Sequence, residues 1–250
     1  MRIQIALSVV CVGSLAGTGT PALAAAPDHH QTAPERRHAA HPQETEHAVR
    51  HRGPIQHSFA DAEAWAKAFE SAERDEWQRP DRVVAALGLQ PGMTVADVGS
   101  GTGYFARRFA TAVGPAGAVY AADVEPGMAV YVRRRADEDG QANLIPVLAS
   151  FDDPRLPDGT VDLIFICNTW HHIGDRVEYA RGLAADLAPE GRVAIVDFLP
   201  GDLPVGPGPD HKLSAAEVEA ELAAAGFRLA AAPDLLPYQY VLIFERAASR

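Results

Sequence analysis

Val95-Ala96-Asp97-Val98-Gly99-Ser100-Gly101-Thr102-Gly103-Tyr104-Phe105 is the stretch from which the fold of this chain is read. An apolar strand runs straight into three glycines at alternate positions, and Phe105, Phe109 and Val113 then share one face of a helix. Glycines at such a turn let backbone approach a ligand closely at a helix N-terminus. A dinucleotide fingerprint, Gly-x-Gly-x-x-Gly, needs a glycine where Tyr104 stands, and the Gly-Lys-Ser/Thr ending of a Walker loop is absent. Asp97, two residues before the first glycine, would repel a pyrophosphate and suits an ammonium group.

Downstream, a second strand ends in Ala121-Ala122-Asp123-Val124-Glu125-Pro126, which puts a carboxylate 20 residues beyond Gly103. A carboxylate there can accept hydrogen bonds from ribose hydroxyls. Together the two acids ask for a ligand with an amino group at one end and a ribose nearby. In all, strand-like runs fall at residues 94–98, 118–122, 144–148, 161–167, 192–198, 227–231 and 240–244, with helical runs between most of them. One such run carries Val177, Ala180, Leu183, Ala184 and Leu187 on one face, and another carries Val218, Leu222 and Ala225. This alternation predicts a mostly parallel sheet covered on both faces, with ligands at the carboxyl ends of its strands. Upstream, Phe59, Trp65 and Phe69 predict a short amphipathic helix within residues 60–71, and Pro80 opens another through Leu87.

The Asp-x-Gly-x-Gly-x-Gly turn with a second acid after the next strand resembles the class I S-adenosylmethionine-dependent methyltransferases, over about residues 77–244. The resemblance implies a doubly wound, Rossmann-like α/β sheet of seven strands with the last antiparallel, preceded here by a helical N-terminal extension over residues 58–90 and occupying residues 91–250. It implies S-adenosyl-L-methionine as cofactor. It assigns Gly99, Gly101 and Gly103 to close approach around the methionine and ribose, Asp97 to the amino end, Asp123 to the ribose hydroxyls and Val124 to the adenine face. Family members often carry an Asp after the third strand to meet the adenine amino group. Here that place reads Ala149-Ser150-Phe151-Asp152, so Ser150 and Phe151 fall at the adenine, with Asp152 as an alternative acceptor. The fourth strand ends in Ile166-Cys167-Asn168-Thr169-Trp170-His171-His172, which resembles the family's fourth-strand motif and sets Asn168 beside the cofactor.

Methyl transfer from a sulfonium chiefly requires that the nucleophile be held against the methyl carbon, and a base is needed where the nucleophile must lose a proton. His171, His172, Asp197 and His211 all fall near strand ends, and His172 and His211 are the catalytic candidates. Each has the alternative of a loop histidine bonded to backbone. The tandem His171-His172 lacks a third ligand at metal-binding spacing. The Pro/Gly-rich segment over residues 199–209 is long for an α/β connection and is expected to shape the acceptor site. With the Trp65/Phe69 helix and Trp77-Gln78-Arg79-Pro80 it forms a candidate lid, to which Trp170, Tyr238 and Tyr240 are further aromatic candidates. Core closure is preferred for Trp65 and Tyr240. Arg133-Arg134-Arg135 reads as a solvated face, and Cys167 as a small buried residue rather than a nucleophile.

The first 57 residues have another character. Met1-Arg2, an apolar run over residues 3–17 and Pro21-Ala22-Leu23-Ala24 read as a secretory signal cut after Ala24, giving a periplasmic or secreted protein. An uncleaved signal acting as a membrane anchor is the alternative, and Val10 is larger than a lipoprotein site at Cys11 would need. Cleavage leaves Cys167 alone, so no intramolecular disulfide is available. Residues 25–57 hold seven histidines among polar residues and prolines and read as a disordered tether. Weak metal capture by the imidazoles is the other reading of that stretch.

The 250 residues are 47% hydrophobic and carry a net charge of −11, which excludes disorder throughout and disfavours nucleic acid as a partner. The acidity is concentrated in residues 58–250, with 29 acids against 17 bases. No second long apolar run suggests a membrane span. The expectation is an exported S-adenosylmethionine-dependent methyltransferase acting on an unidentified small molecule. The alternatives are a nicotinamide-dependent oxidoreductase and a non-catalytic nucleoside-binding or His-rich metal-binding protein.

Overall fold

In a computed structural model of the chain, residues 61–248 are described. The signal and the histidine-rich tether expected over residues 1–57 lie outside the described residues.

The strands are β1 (Thr94–Val98), β2 (Ala118–Asp123), β3 (Leu144–Leu148), β4 (Val161–Cys167), β5 (Leu187–Phe198), β6 (Phe227–Ala231) and β7 (Gln239–Arg246). They form one sheet in the order β3-β2-β1-β4-β5-β7-β6. β1 to β5 are parallel to one another, and β7 inserts antiparallel between β5 and β6, as the resemblance implied. The reversal of strand order lies between β1 and β4, the place where open α/β sheets form their ligand crevice.

Burial explains why the central strands read as nearly continuous apolar runs. β1 and β4 have both faces covered, with Val95, Ala96, Leu163, Ile164, Phe165 and Ile166 wholly inaccessible. One face packs under α3 (Pro80–Ala86), α4 (Ala106–Val113) and α5 (Pro126–Glu138), through Val83, Phe105, Phe109 and Val132. The other packs under α6 (Arg176–Asp186) and α7 (Ala215–Ala224), through Tyr179, Leu183, Val218 and Leu222. Asp175 caps α6, and Ser214 with Glu217 forms a capping box on α7.

The N-terminal extension departs from the sequence reading in one respect. The helix expected within residues 60–71 is α1 (Ala62–Phe69), but a further helix that was not expected, α2 (Ala72–Gln78), follows it. Ser71 causes the break: it leaves the helix with extended backbone, and its hydroxyl accepts from the Arg74 N–H to start α2. Arg79, in the left-handed region, turns the chain into α3, where Pro80 supplies the first helical residue. α1 lies on α5, with Trp65, Ala66 and Phe69 packed against Met128 and Tyr131. The Arg133-Arg134-Arg135 run is ion-paired to Asp137, Glu138 and Glu63, as a solvated face would be.

Candidate functional site

The glycine turn is anchored to the end of β2. Gly99 and Ser100 donate their N–H groups to the Ala122 carbonyl at 2.8 and 3.2 Å, and Gly101 donates to Asp123 Oδ2 at 2.8 Å. Gly99 has φ +72°, and a Cβ there would come within 2.2 Å of Thr169 Oγ1. Glycine is therefore required for the turn to pass the end of β4, whatever else it admits. Gly101 lies under the Phe69 ring, so the end of α1 stands over the turn. Buried beside it, the hydroxyls of Ser100 and Thr102 have no hydrogen-bond partner among the described residues.

Asp97 projects from β1 into this region and is only 3% exposed. Burial pushes its carboxyl up to about 7, against the pull of the Ala106 N–H and the charge of Arg74. Asp123 accepts from the Glu125 N–H on one oxygen and the Gly101 N–H on the other. The Val124 N–H also bears on it, and with about four acceptor positions a carboxylate so held keeps room for a ribose hydroxyl. Burial raises its pKa too. Val124 is half-buried beside it. Beyond β3, Ser150 donates to Asp152 Oδ1 at 2.8 Å, which ties together the two residues that the sequence offers as alternative acceptors for an adenine, and Phe151 is 79% exposed at that edge.

At the end of β4, Asn168 adopts φ +56°, and its side-chain oxygen accepts a hydrogen bond from Gln239 of β7. Gln239 in turn accepts from Gln78 of α2, which also donates to the Cys167 sulfur at 3.6 Å. The buried amide chain thus joins the N-terminal extension to the strand end nearest the turn. Cys167 is buried and its thiol pKa is strongly raised, as expected of an inert core residue.

A single 3-10 turn, Trp170–His172, follows. It sends Trp170 inward: the ring is wholly buried and its Nε1 donates to Glu221. Trp170 is therefore a core residue, not the lid aromatic considered from sequence. His171 turns toward the end of β5, where its Nδ1 lies 2.9 Å from both carboxylate oxygens of Asp197. Asp197 also accepts from the backbone N–H groups of His171 and Phe198. His172 stacks on His171 with ring centroids 4.1 Å apart. His211 sits exposed on a short 3-10 turn, Pro209–His211, within the connection after β5. Tyr240, opposite Asp197 on β7, is buried with its hydroxyl unpartnered among the described residues, and Tyr238 is half-buried. The Pro/Gly-rich connection folds back on the sheet. Gly206 lies against the Phe198 ring, Trp77 of α2 packs near that ring, and Lys212 donates to the Gly201 carbonyl at 2.7 Å.

Two site features gave no signal in the sequence. Arg74 of α2 stacks on Tyr104 with its guanidinium carbon 3.9 Å from the ring centre, and its charge reaches Asp97. The His171–Asp197 pairing is the other, since adjacent histidines do not reveal which one a tight turn aims at a neighbouring strand. Among the described residues, no group of His, Cys, Asp and Glu is arranged to hold a metal ion, and no helix is long and apolar enough to cross a membrane.

The turn fits an adenosyl amino acid. Among the described residues, Asp123 keeps an open acceptor position, two buried hydroxyls lack partners, and a buried carboxylate without a direct ion pair lies beside the turn. Comparison with known proteins points the same way. Residues 95–191 match a methyltransferase domain family. The ubiquinone/menaquinone biosynthesis C-methyltransferase UbiE of Ectopseudomonas mendocina is 32% identical over 123 residues, 49% of this chain and 47% of that protein. UbiE of Hahella chejuensis is 29% identical over 112 residues, 44% of this chain and 45% of its own length. The chain thus spans about half the length of the curated relatives it matches. A SAM-dependent methyltransferase from Aquifex aeolicus superposes with TM-score 0.70 at 28% identity, covering 76% of this chain and 98% of that one.

Proposed function

We propose a function from one premise: the chain carries a class I S-adenosylmethionine-dependent methyltransferase domain, and S-adenosylmethionine is the cofactor of that domain. On that premise the protein methylates a small-molecule acceptor. The observation that carries the reading is the pair of buried or half-buried carboxylates, Asp97 and Asp123, at the ends of β1 and β2 on either side of the glycine turn.

When bound, the cofactor would supply a methyl carbon on a sulfonium, open to bonding by an acceptor lone pair with a neutral thioether as the leaving group that keeps the C–S electrons. The chain's residues bind, orient and handle protons. Asp123, fixed by the Gly101 and Glu125 N–H groups, holds the ribose, and Asp97 meets the amino group. Val124, Ser150 and Phe151 border the adenine, with Gly99, Gly101, Gly103 and Asn168 lining the approach. His171 is the base. The Asp197 carboxylate only accepts, so Nδ1 carries the hydrogen and Nε2 keeps its lone pair for the proton of the acceptor. His172 and His211 are the other two candidates, one stacked on that base and one on the connection that borders the acceptor side.

Residues 1–24 export the protein, and residues 25–57 tether the domain. Purified wild type given S-adenosylmethionine labelled in the methyl group should label a low-molecular-weight component of a cell extract, and Asp123→Ala should not. Labelling by neither protein from any extract fraction would overturn the catalytic reading.

A further inference from the structure

Side-chain amides run in line from α2 to the end of β4. Gln78 Nε2 donates to Gln239 Oε1, and Gln239 Nε2 donates to Asn168 Oδ1. Gln78 is wholly inaccessible and Gln239 is 3% exposed, so each amide must match its protein neighbours. The direction of the line is set at its outer end. Arg74 Nε donates to Gln78 Oε1 at 3.2 Å, and a guanidinium can only donate. That bond turns the Gln78 nitrogen inward, toward Gln239 and toward the Cys167 sulfur at 3.6 Å. Gln239 must then meet Gln78 with its oxygen and Asn168 with its nitrogen. Asn168 is half-buried with its oxygen engaged, and no partner for its Nδ2 is found among the described residues.

The place of that nitrogen follows from the strand order, β2-β1-β4-β5-β7 across this part of the sheet. Asp123 and Asp97, assigned above to the ribose and the amino group, stand at the ends of β2 and β1, and the His171–Asp197 pair stands at the end of β5. Asn168 follows β4, between them. Its N–H donates to the Val196 carbonyl at 2.9 Å, and the His171 N–H donates to Asp197 Oδ2 at 3.3 Å, so consecutive residues of β5 pin both. Its oxygen is drawn across β5 to Gln239 of β7, which leaves Nδ2 on the side away from β7.

We propose that Asn168 Nδ2 and His171 Nε2 together select a hydroxyl acceptor, a phenol or an enol, with Gln78 and Gln239 as the positioning residues that keep Asn168 a donor. The inference rests on the methyltransferase reading and names the class of its acceptor. A hydroxyl matches both groups, since it gives its proton to the imidazole lone pair while its oxygen accepts from the amide. Phenols and enols are acidic enough for an imidazole base. As the O–H bond breaks toward Nε2, the charge that gathers on oxygen is held by the Nδ2–H. A further lone pair of that oxygen bonds the methyl carbon as the C–S bond breaks and sulfur retains its electrons, with the proton left on His171. An amine has one lone pair, so its methylation would leave Nδ2 facing no acceptor, and a thiol sulfur accepts only weakly.

The test uses the full chain, S-adenosylmethionine with an isotope-labelled methyl carbon, and substitutions of Gln78. The NMR shift of the methyl carbon transferred to a component of a cell extract identifies the atom that carries it, and oxygen is expected. Gln78→Glu is nearly isosteric, but its carboxylate only accepts, so Gln239 and then Asn168 turn over and Asn168 Nδ2 is drawn to Gln239. Gln78→Met breaks the line at its outer end without reversing it. The transfer rate should fall by about a hundredfold in Gln78→Glu, the scale of losing one oxyanion donor, and by less in Gln78→Met. S-adenosylhomocysteine affinity should stay within about twofold in both. Nitrogen–proton NMR should show the Asn168 side-chain amide moving to a hydrogen-bonded position in Gln78→Glu and not in Gln78→Met. A role confined to packing predicts the opposite order of rates, because Glu keeps the Arg74 contact and Met loses it. That order, an unmoved Asn168 amide in Gln78→Glu, a parallel loss of S-adenosylhomocysteine affinity, or a methyl group carried by nitrogen, sulfur or carbon would overturn the inference and leave the cofactor assignment standing. Absence of any labelled product with wild type would overturn the catalytic reading, and the inference with it.

Discussion

His171 Nδ1 lies 2.9 Å from each carboxylate oxygen of Asp197, and both side chains are almost wholly buried. A buried carboxylate that fixes one ring nitrogen as a donor leaves the other as a proton acceptor in a set direction, the arrangement a general base needs. His171→Gln should lower the methyl-transfer rate by about 10²–10⁴-fold while leaving the affinity for S-adenosylhomocysteine within about twofold. Asp197→Asn should lower the rate too and shift the ring tautomer seen by nitrogen NMR, because an amide can donate to Nδ1. If His172→Ala or His211→Ala abolishes turnover while His171→Gln retains it, the base is misassigned.

Asp97 makes stability depend on pH in a particular direction. Its carboxyl titrates at about 7 in the folded chain and near 3.9 when unfolded, so the folded state holds the proton more tightly. The stabilising effect is full below about pH 4 and is lost as pH rises toward 7, where the folded chain must carry a buried carboxylate. Asp97→Asn should therefore be the more stable protein at pH 8 by as much as a few kcal/mol in the absence of ligand, with the gap closing toward pH 5. Urea unfolding at the two pH values measures it. The same variant should bind S-adenosylhomocysteine more weakly, so a gain in stability accompanied by full affinity would contradict the assignment of Asp97 to the amino group.

Gly99 and Gly101 have positive φ, but different surroundings. An alanine at Gly101 would meet the Phe69 ring at an ordinary 3.5 Å and carry mainly the cost of left-handed backbone, about 1–2 kcal/mol. At Gly99 the added carbon would lie 2.2 Å from Thr169 Oγ1, which adds about 1–3 kcal/mol of overpacking. Denaturant unfolding should rank Gly99→Ala well below Gly101→Ala. The reverse order would mean that the β4 end does not pack on the turn as described.

The seven strands and the position of the turn were legible because central parallel strands are apolar on both faces and glycine marks the strand end; Val95 to Gly103 and Val161 to Cys167 read directly. α2 was not legible. Ala72–Gln78 is polar and charged, and it docks through single groups, Arg74 on Tyr104 and Gln78 on Gln239, which leave no periodic signal. Trp170 was misplaced for a related reason: a 3-10 turn after β4 rotates it into the core and sends His171 toward Asp197, and sequence spacing does not encode that rotation.

Export has its own check. Mass spectrometry of protein recovered from the cell envelope and medium should give a mature N-terminus at Ala25. A chain that keeps Met1 and fractionates with the membrane would replace the cleaved signal by an anchor. Titration of Zn(II) or Cu(II) into a peptide of residues 25–57 distinguishes a plain tether from a metal-capturing one, with no binding below about millimolar expected of the tether.

The central claim is that the glycine turn at the ends of β1 and β2 binds an adenosyl amino acid. Calorimetry of the full chain with S-adenosylhomocysteine, S-adenosylmethionine and NAD tests it most directly. The account predicts saturable binding of both adenosyl compounds, little or none of NAD, and a loss of about 1–3 kcal/mol for S-adenosylhomocysteine in Asp123→Ala. Undetectable binding of both adenosyl compounds at millimolar concentration, or affinities unmoved by Asp123→Ala and Asp97→Ala, would contradict it.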